Sequence, residues 1–195
     1  MKLIYKGKFS GDIDELPQKE HPEGAQKFKE PQSPKKLALI ANGIATVICV
    51  AFMAWVIIAT KGIIPMSKYV IQELLACVTS MLVIFPHELL HAVCFKDEVY
   101  LYTDFKRGMA FVMGLEVMSK SRFVILSLFP NLVFGVLPFV LWLIFPEIVF
   151  LGFFGALCLS QGAGDYMNVY NCLTQVPKGA KVYMSGYHSY WFKEN

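Results

Sequence analysis

Charge is scarce in this chain. Only 17% of its 195 residues are Asp, Glu, Lys or Arg, against 55% hydrophobic, and the mean hydropathy is +0.48. Soluble domains carry about a quarter charged residues, so the balance excludes an ordinary soluble domain and predicts a membrane protein. Paired cysteines are also missing. The five, Cys49, Cys77, Cys94, Cys158 and Cys172, lie in or beside apolar stretches and form no Cys-x-x-Cys, which excludes a disulfide framework. No basic motif stands out, and the lysines near the start are mixed with acids, so no nucleic-acid partner is expected. The first 36 residues are polar and the first apolar run is too late and too long for a cleaved leader, so that run is expected to remain in the mature protein.

Four apolar stretches are present: Leu37 to Thr60, about Val70 to Phe95, Phe123 to Phe145, and about Ile148 to Leu173. Each meets the roughly 20 residues that a helix needs to cross a bilayer. The expected fold is therefore an all-α polytopic membrane protein with about four transmembrane helices. Its expected organisation is a cytoplasmic arm over 1–36, a four-helix membrane domain over 37–173 and a cytoplasmic tail over 174–195. The arm, with Pro17, Pro22, Pro31 and Pro34, reads as mostly irregular, though Leu-Ile-Tyr-Lys-Gly-Lys-Phe at its start alternates like a short strand. Between the second and third helices, Val99 to Lys120 places two aromatic-rich apolar runs around Lys106-Arg107-Gly108, which predicts a membrane-associated β-hairpin.

Counting Lys and Arg loop by loop across four spans puts 16 on one side and 2 on the other. Positive residues concentrate in cytoplasmic loops, so both termini are expected in the cytoplasm of a multi-pass cell-membrane protein.

Inside the second stretch, His87, Glu88 and His91 spell His-Glu-Leu-Leu-His. Residues four apart on a helix are about 40° apart around its axis and about 6 Å along it. Both imidazoles can then share one zinc, with Glu88 beside it as general base toward the attacking water. Two histidines and a glutamate at membrane depth are costly without a function. A catalytic zinc takes three protein ligands, and Asp165, Glu98, Glu116 and His188 are candidates for the third. Asp165 fits best. It lies 17 residues beyond Ile148, as His87 lies 17 beyond Val70, so the two should sit at similar depth, while Gly162 and Gly164 permit close helix approach or a local break. Glu116 reads as a solvated side chain of the hairpin and His188 as part of an exposed tail. Asn131, after Pro130, and Asn168, three residues beyond Asp165, are candidates for oxyanion stabilisation or for hydrogen bonds to the ligands.

The layout, with this motif on one membrane helix and an aspartate on a later one, resembles the site-2 proteases. Closer still is the resemblance to a bacterial family of small membrane proteins described as zincin peptidases. The shared features are Pro86 to His91, Pro130, Gly164-Asp165 and the closing Pro177-Lys-Gly-Ala, over roughly residues 80 to 190. The resemblance implies zinc held by His87, His91 and Asp165, with Glu88 as base. The chain departs from site-2 proteases in having Gly-Asp-Tyr around its aspartate and no PDZ or CBS segment. The expected activity is a zinc metalloendopeptidase hydrolysing a membrane protein or peptide substrate in or near the cytoplasmic half of the bilayer. The alternatives are a non-catalytic zinc-binding assembly factor or pseudoprotease, which would not need Glu88, and zinc transport, which would need polar residues along a whole path.

Overall fold

The computed structural model describes residues 1–30, 34–59, 66–104 and 108–194. In chain order the elements are β1 (Lys2–Lys8), β2 (Gln26–Lys27), α1 (Pro34–Ala59), α2 (Met66–Leu82), α3 (Ile84–Val93), β3 (Glu98–Asp104), β4 (Met109–Gly114) and β5 (Met118–Ser119). There follow α4 (Lys120–Pro130), a π-helical turn (Asn131–Val136), α5 (Leu137–Ile144), α6 (Val149–Gln161), α7 (Ala163–Gln175), β6 (Lys181–Ser185) and β7 (His188–Phe192). The chain divides into two compact units.

The first unit comprises Met1–Glu30, Glu88–Leu128 and Asn168–Asn195. It contains two sheets, of order β1-β3-β4 and β2-β7-β6-β5. An all-α fold is therefore corrected to a mixed one. The expected hairpin is present, with β3 antiparallel to β4; its Lys106-Arg107 turn lies outside the described residues. The predicted opening strand is present too, and pairs parallel with β3, Lys2 opposite Glu98 and Leu3 opposite Val99. The rest of the arm is less irregular than its prolines suggest: Leu16 and Phe28 are buried, and Lys27 pairs with Tyr190 of β7. The tail is a hairpin whose strands meet at Ser185 and His188, leaving Gly186 (φ +56°) and Tyr187 as the turn. A two-residue Gly-x turn between aromatic runs is a sequence signal for such a hairpin. Phe28, Phe95, Val99, Phe123, Leu126 and Val182 lie in the core of this unit.

The second unit comprises Pro31–His87 and Phe129–Met167. Among the described residues, two continuous helical runs are long and apolar enough to cross a membrane: Leu39–Ala59, and Lys120–Ile144 through the π-turn. Tyr69–Leu82 with Ile84–Val93 makes a third only if the pair, bent by 46°, counts as one span. Pro86 explains the bend, because it cannot return an N–H to the carbonyl of Leu82 four residues back. The fourth apolar stretch is broken at Gly162 into two helices of 13 residues. Among the described residues there are thus two to three candidate spans where four were expected. Thr60, the last residue of the first stretch, lies outside the described residues. Leu39, Val47 and Ile58 of α1 are each more than two-thirds exposed. Apolar surface on that scale needs a nonaqueous neighbour.

Candidate metal centre

Helix α3 carries the motif. His87, Glu88 and His91 each offer one donor atom, and the three atoms lie within 4.8 Å of one another. His87 and Glu88 are half-buried and His91 is buried.

His91 is oriented by an acceptor, through the ring nitrogen that faces away from the site. His91 Nδ1 is 2.9 Å from the carbonyl oxygen of Leu126 in α4. A carbonyl can only accept, so Nδ1 carries the hydrogen and Nε2 keeps the lone pair that a metal requires. His87 Nε2 is 3.1 Å from Asp165 Oδ2. Asn131 Nδ2 donates to the same oxygen at 2.7 Å.

The structure separates the four candidates for the third ligand. Asp165 stands beside His87. Glu98 is exposed and bonded to Lys2 Nζ at 2.8 Å. Glu116 is buried, which corrects its reading as a solvated side chain. It pairs with the Arg122 guanidinium and accepts the Lys96 N–H at 2.7 Å. Burial pushes its carboxyl up, but Arg122 and the Lys96 and Asp97 amides outweigh this and hold it below the ordinary glutamate value. Arg122 also donates to the Cys94 carbonyl at 2.7 Å, just beyond the end of α3. His188 is half-buried, not in an exposed tail, with Nδ1 3.1 Å from Glu30.

The two asparagines differ. Asn131 is 3% exposed and spends its amide on Asp165. Asn168 is half-buried, and among the described residues its side chain makes no hydrogen bond. Glu88 Oε2 accepts the backbone N–H of Val112 in β4 at 3.0 Å, a contact that sequence reasoning missed because nothing local encodes it.

Two imidazoles and a carboxylate are a donor set that zinc takes in catalytic sites. With zinc–ligand distances near 2.0–2.1 Å, two ligands of one tetrahedron are about 3.3 Å apart. His87, Glu88 and His91 offer a donor group that could hold a metal ion, and His87 Nε2 and Asp165 Oδ2, 3.1 Å apart, have nearly the separation of two ligands.

Residues 80–181, just over half of the chain, match the family model described as "Putative zincin peptidase". No curated protein and no solved structure matches the chain. The matched stretch contains the His-Glu-Leu-Leu-His helix, the β3–β4 hairpin, Asn131 and Asp165, and a zincin family implies zinc. The chain belongs to this family of zincin-type peptidases.

Proposed function

We propose that the protein is a membrane-embedded zinc metallopeptidase of site-2-protease layout, which hydrolyses peptide bonds in or near the cytoplasmic half of the bilayer. The observation that carries this reading is the donor group of α3, on the bent apolar pair, with Asp165 against His87. In the proposal His87, His91 and Asp165 hold the zinc. The ion supplies Lewis acidity, which makes water a better nucleophile and polarises the scissile carbonyl.

The remaining steps belong to the chain's own residues. Glu88 takes the proton of the attacking water and passes it to the amine as the C–N bond breaks. Its carboxylate is aimed by the Val112 N–H. Asn168 is the amide left to donate to the substrate carbonyl, since that of Asn131 is engaged by Asp165. Strand β4 ends the order β1-β3-β4. Because Val112 donates to Glu88, its N–H points away from β3, and alternation sends Ala110 and Gly114 the same way. A substrate segment can add there as an extended strand, its backbone beside Glu88.

Residues 1–30, 88–128 and 168–195 form one compact unit. This supports placing both termini together, and the 16-to-2 charge split supports the cytoplasm.

The decisive variant is Glu88→Gln. It should keep most of the zinc and lose about 10²–10⁴-fold of cleavage rate, the usual scale for a lost general base. The assay is cleavage of a co-expressed single-span substrate, with zinc measured in the same preparation. Wild-type turnover by Glu88→Gln would overturn the catalytic reading.

A further inference from the structure

We propose that Asn131 is the positioning residue that presents Asp165 to the metal, and that Gly162 and Tyr166 exist to hold Asn131 in that role. The inference rests on Asp165 being a zinc ligand.

A buried amide needs partners at both ends. Asn131 has them. Its Nδ2 donates to Asp165 Oδ2 at 2.7 Å, and its Oδ1 lies 3.2 Å from the Tyr166 hydroxyl. The carboxylate only accepts, so it fixes which way the amide faces and turns Oδ1 toward Tyr166. The one hydrogen of the Tyr166 hydroxyl is shared between Oδ1 and the Leu159 carbonyl, 2.9 Å away. Asn131 also opens the π-helical turn that follows Pro130. The extra residue of such a turn shifts which side chains face inward, and these turns recur at functional sites.

Gly162 supplies the space. A Cβ built there would lie 1.7 Å from Asn131 Oδ1, 2.5 Å from its Cγ and 2.9 Å from its Nδ2. The glycine backbone, at φ −75° and ψ 12°, is open to any residue. The requirement at this position is therefore room, not conformation. Gly164, two residues on, has nothing within 4 Å of its Cβ position. The Asn131 carboxamide thus occupies the place of a missing side chain, three residues before the aspartate it holds. It anchors the carboxylate oxygen that faces His87, where a freely rotating side chain would have to be immobilised on metal binding.

The test is zinc affinity of the full-length protein in detergent, by competition with a chelator. Partners of this kind typically contribute about 10–100-fold in metal affinity. Asn131→Leu and Gly162→Ala should each lose zinc affinity on that scale, and Tyr166→Phe should lose less. The double variant Gly162→Ala with Asn131→Ala should be no weaker than Asn131→Ala alone, because the methyl then enters vacated space. Losses that multiply, or wild-type affinity in Gly162→Ala, would overturn the inference. If Gly162→Ala does not fold, Asn131→Leu decides alone, and wild-type affinity in it sinks the proposal. Asp165→Ala is measured beside them. Zinc retention there removes the ligand assignment and this inference with it. Zinc loss there with full affinity in Asn131→Leu removes only the inference.

Discussion

His91 gives its Nδ1–H to the carbonyl of Leu126, and Pro130 stands four residues beyond that carbonyl on the same helix. In a regular helix the N–H of residue 130 would bond the oxygen of residue 126. Proline has no N–H, and its ring displaces the carbonyl four residues back. The imidazole takes the place of the missing donor. A proline in one apolar stretch thereby decides the tautomer of a histidine in another.

Pro130→Ala should restore the backbone donor and weaken the hold on His91. Zinc affinity should drop by about tenfold, the low end for loss of a ligand's orienting partner. The measurement is chelator competition, with the protonated ring nitrogen of His91 followed by nitrogen NMR. Unchanged affinity and an unchanged tautomer would refute the link.

His87→Ala and His91→Ala should each abolish stoichiometric zinc in detergent-purified protein, because the two share one helix face. Elemental analysis decides. Full retention in both variants would mean that the motif is not the metal site.

The Glu116–Arg122 pair should set an acid limit on stability. Glu116 is held below its ordinary value of 4.5, so the folded state binds its proton less readily than the unfolded chain does. The contribution is complete above that value and disappears as pH falls through the folded-state value. Glu116→Gln should flatten this part of the stability–pH profile. Arg122→Met, which strands the carboxylate, should cost on the order of 2 kcal/mol, below the roughly 3–5 of a fully buried pair because the arginine side chain is 25% exposed. Unfolding in detergent at pH 7 and at pH 4 measures both effects. An unchanged slope in Glu116→Gln would refute the assignment.

Reporter fusions at the two termini should both report the cytoplasm. The pairing of Gln26 with Trp191 supports placing both ends on one side. Reporters on opposite sides would contradict the fold, and both outside would reverse the charge argument.

The sequence by itself determined whatever depends on spacing along one helix or strand. The zinc-type motif is two histidines four residues apart on a helix, the apolar stretches are runs of composition, and the β3–β4 hairpin is two apolar runs that flank Lys-Arg-Gly in the sequence. All three were legible because the interacting residues are near in the chain. The tertiary structure decided what depends on distant partners. Strand β1 pairs with β3 some 96 residues on, at Lys2 and Glu98, and no local pattern encodes that choice. Four residues competed for the third ligand position, and only folding set Asp165 against His87 while giving Glu98 to Lys2, Glu116 to Arg122 and His188 to Glu30. The length of the fourth apolar stretch suggested a single helix. It breaks at Gly162, where the Asn131 side chain is also packed, and a steric demand made by another helix cannot be read from the stretch that meets it.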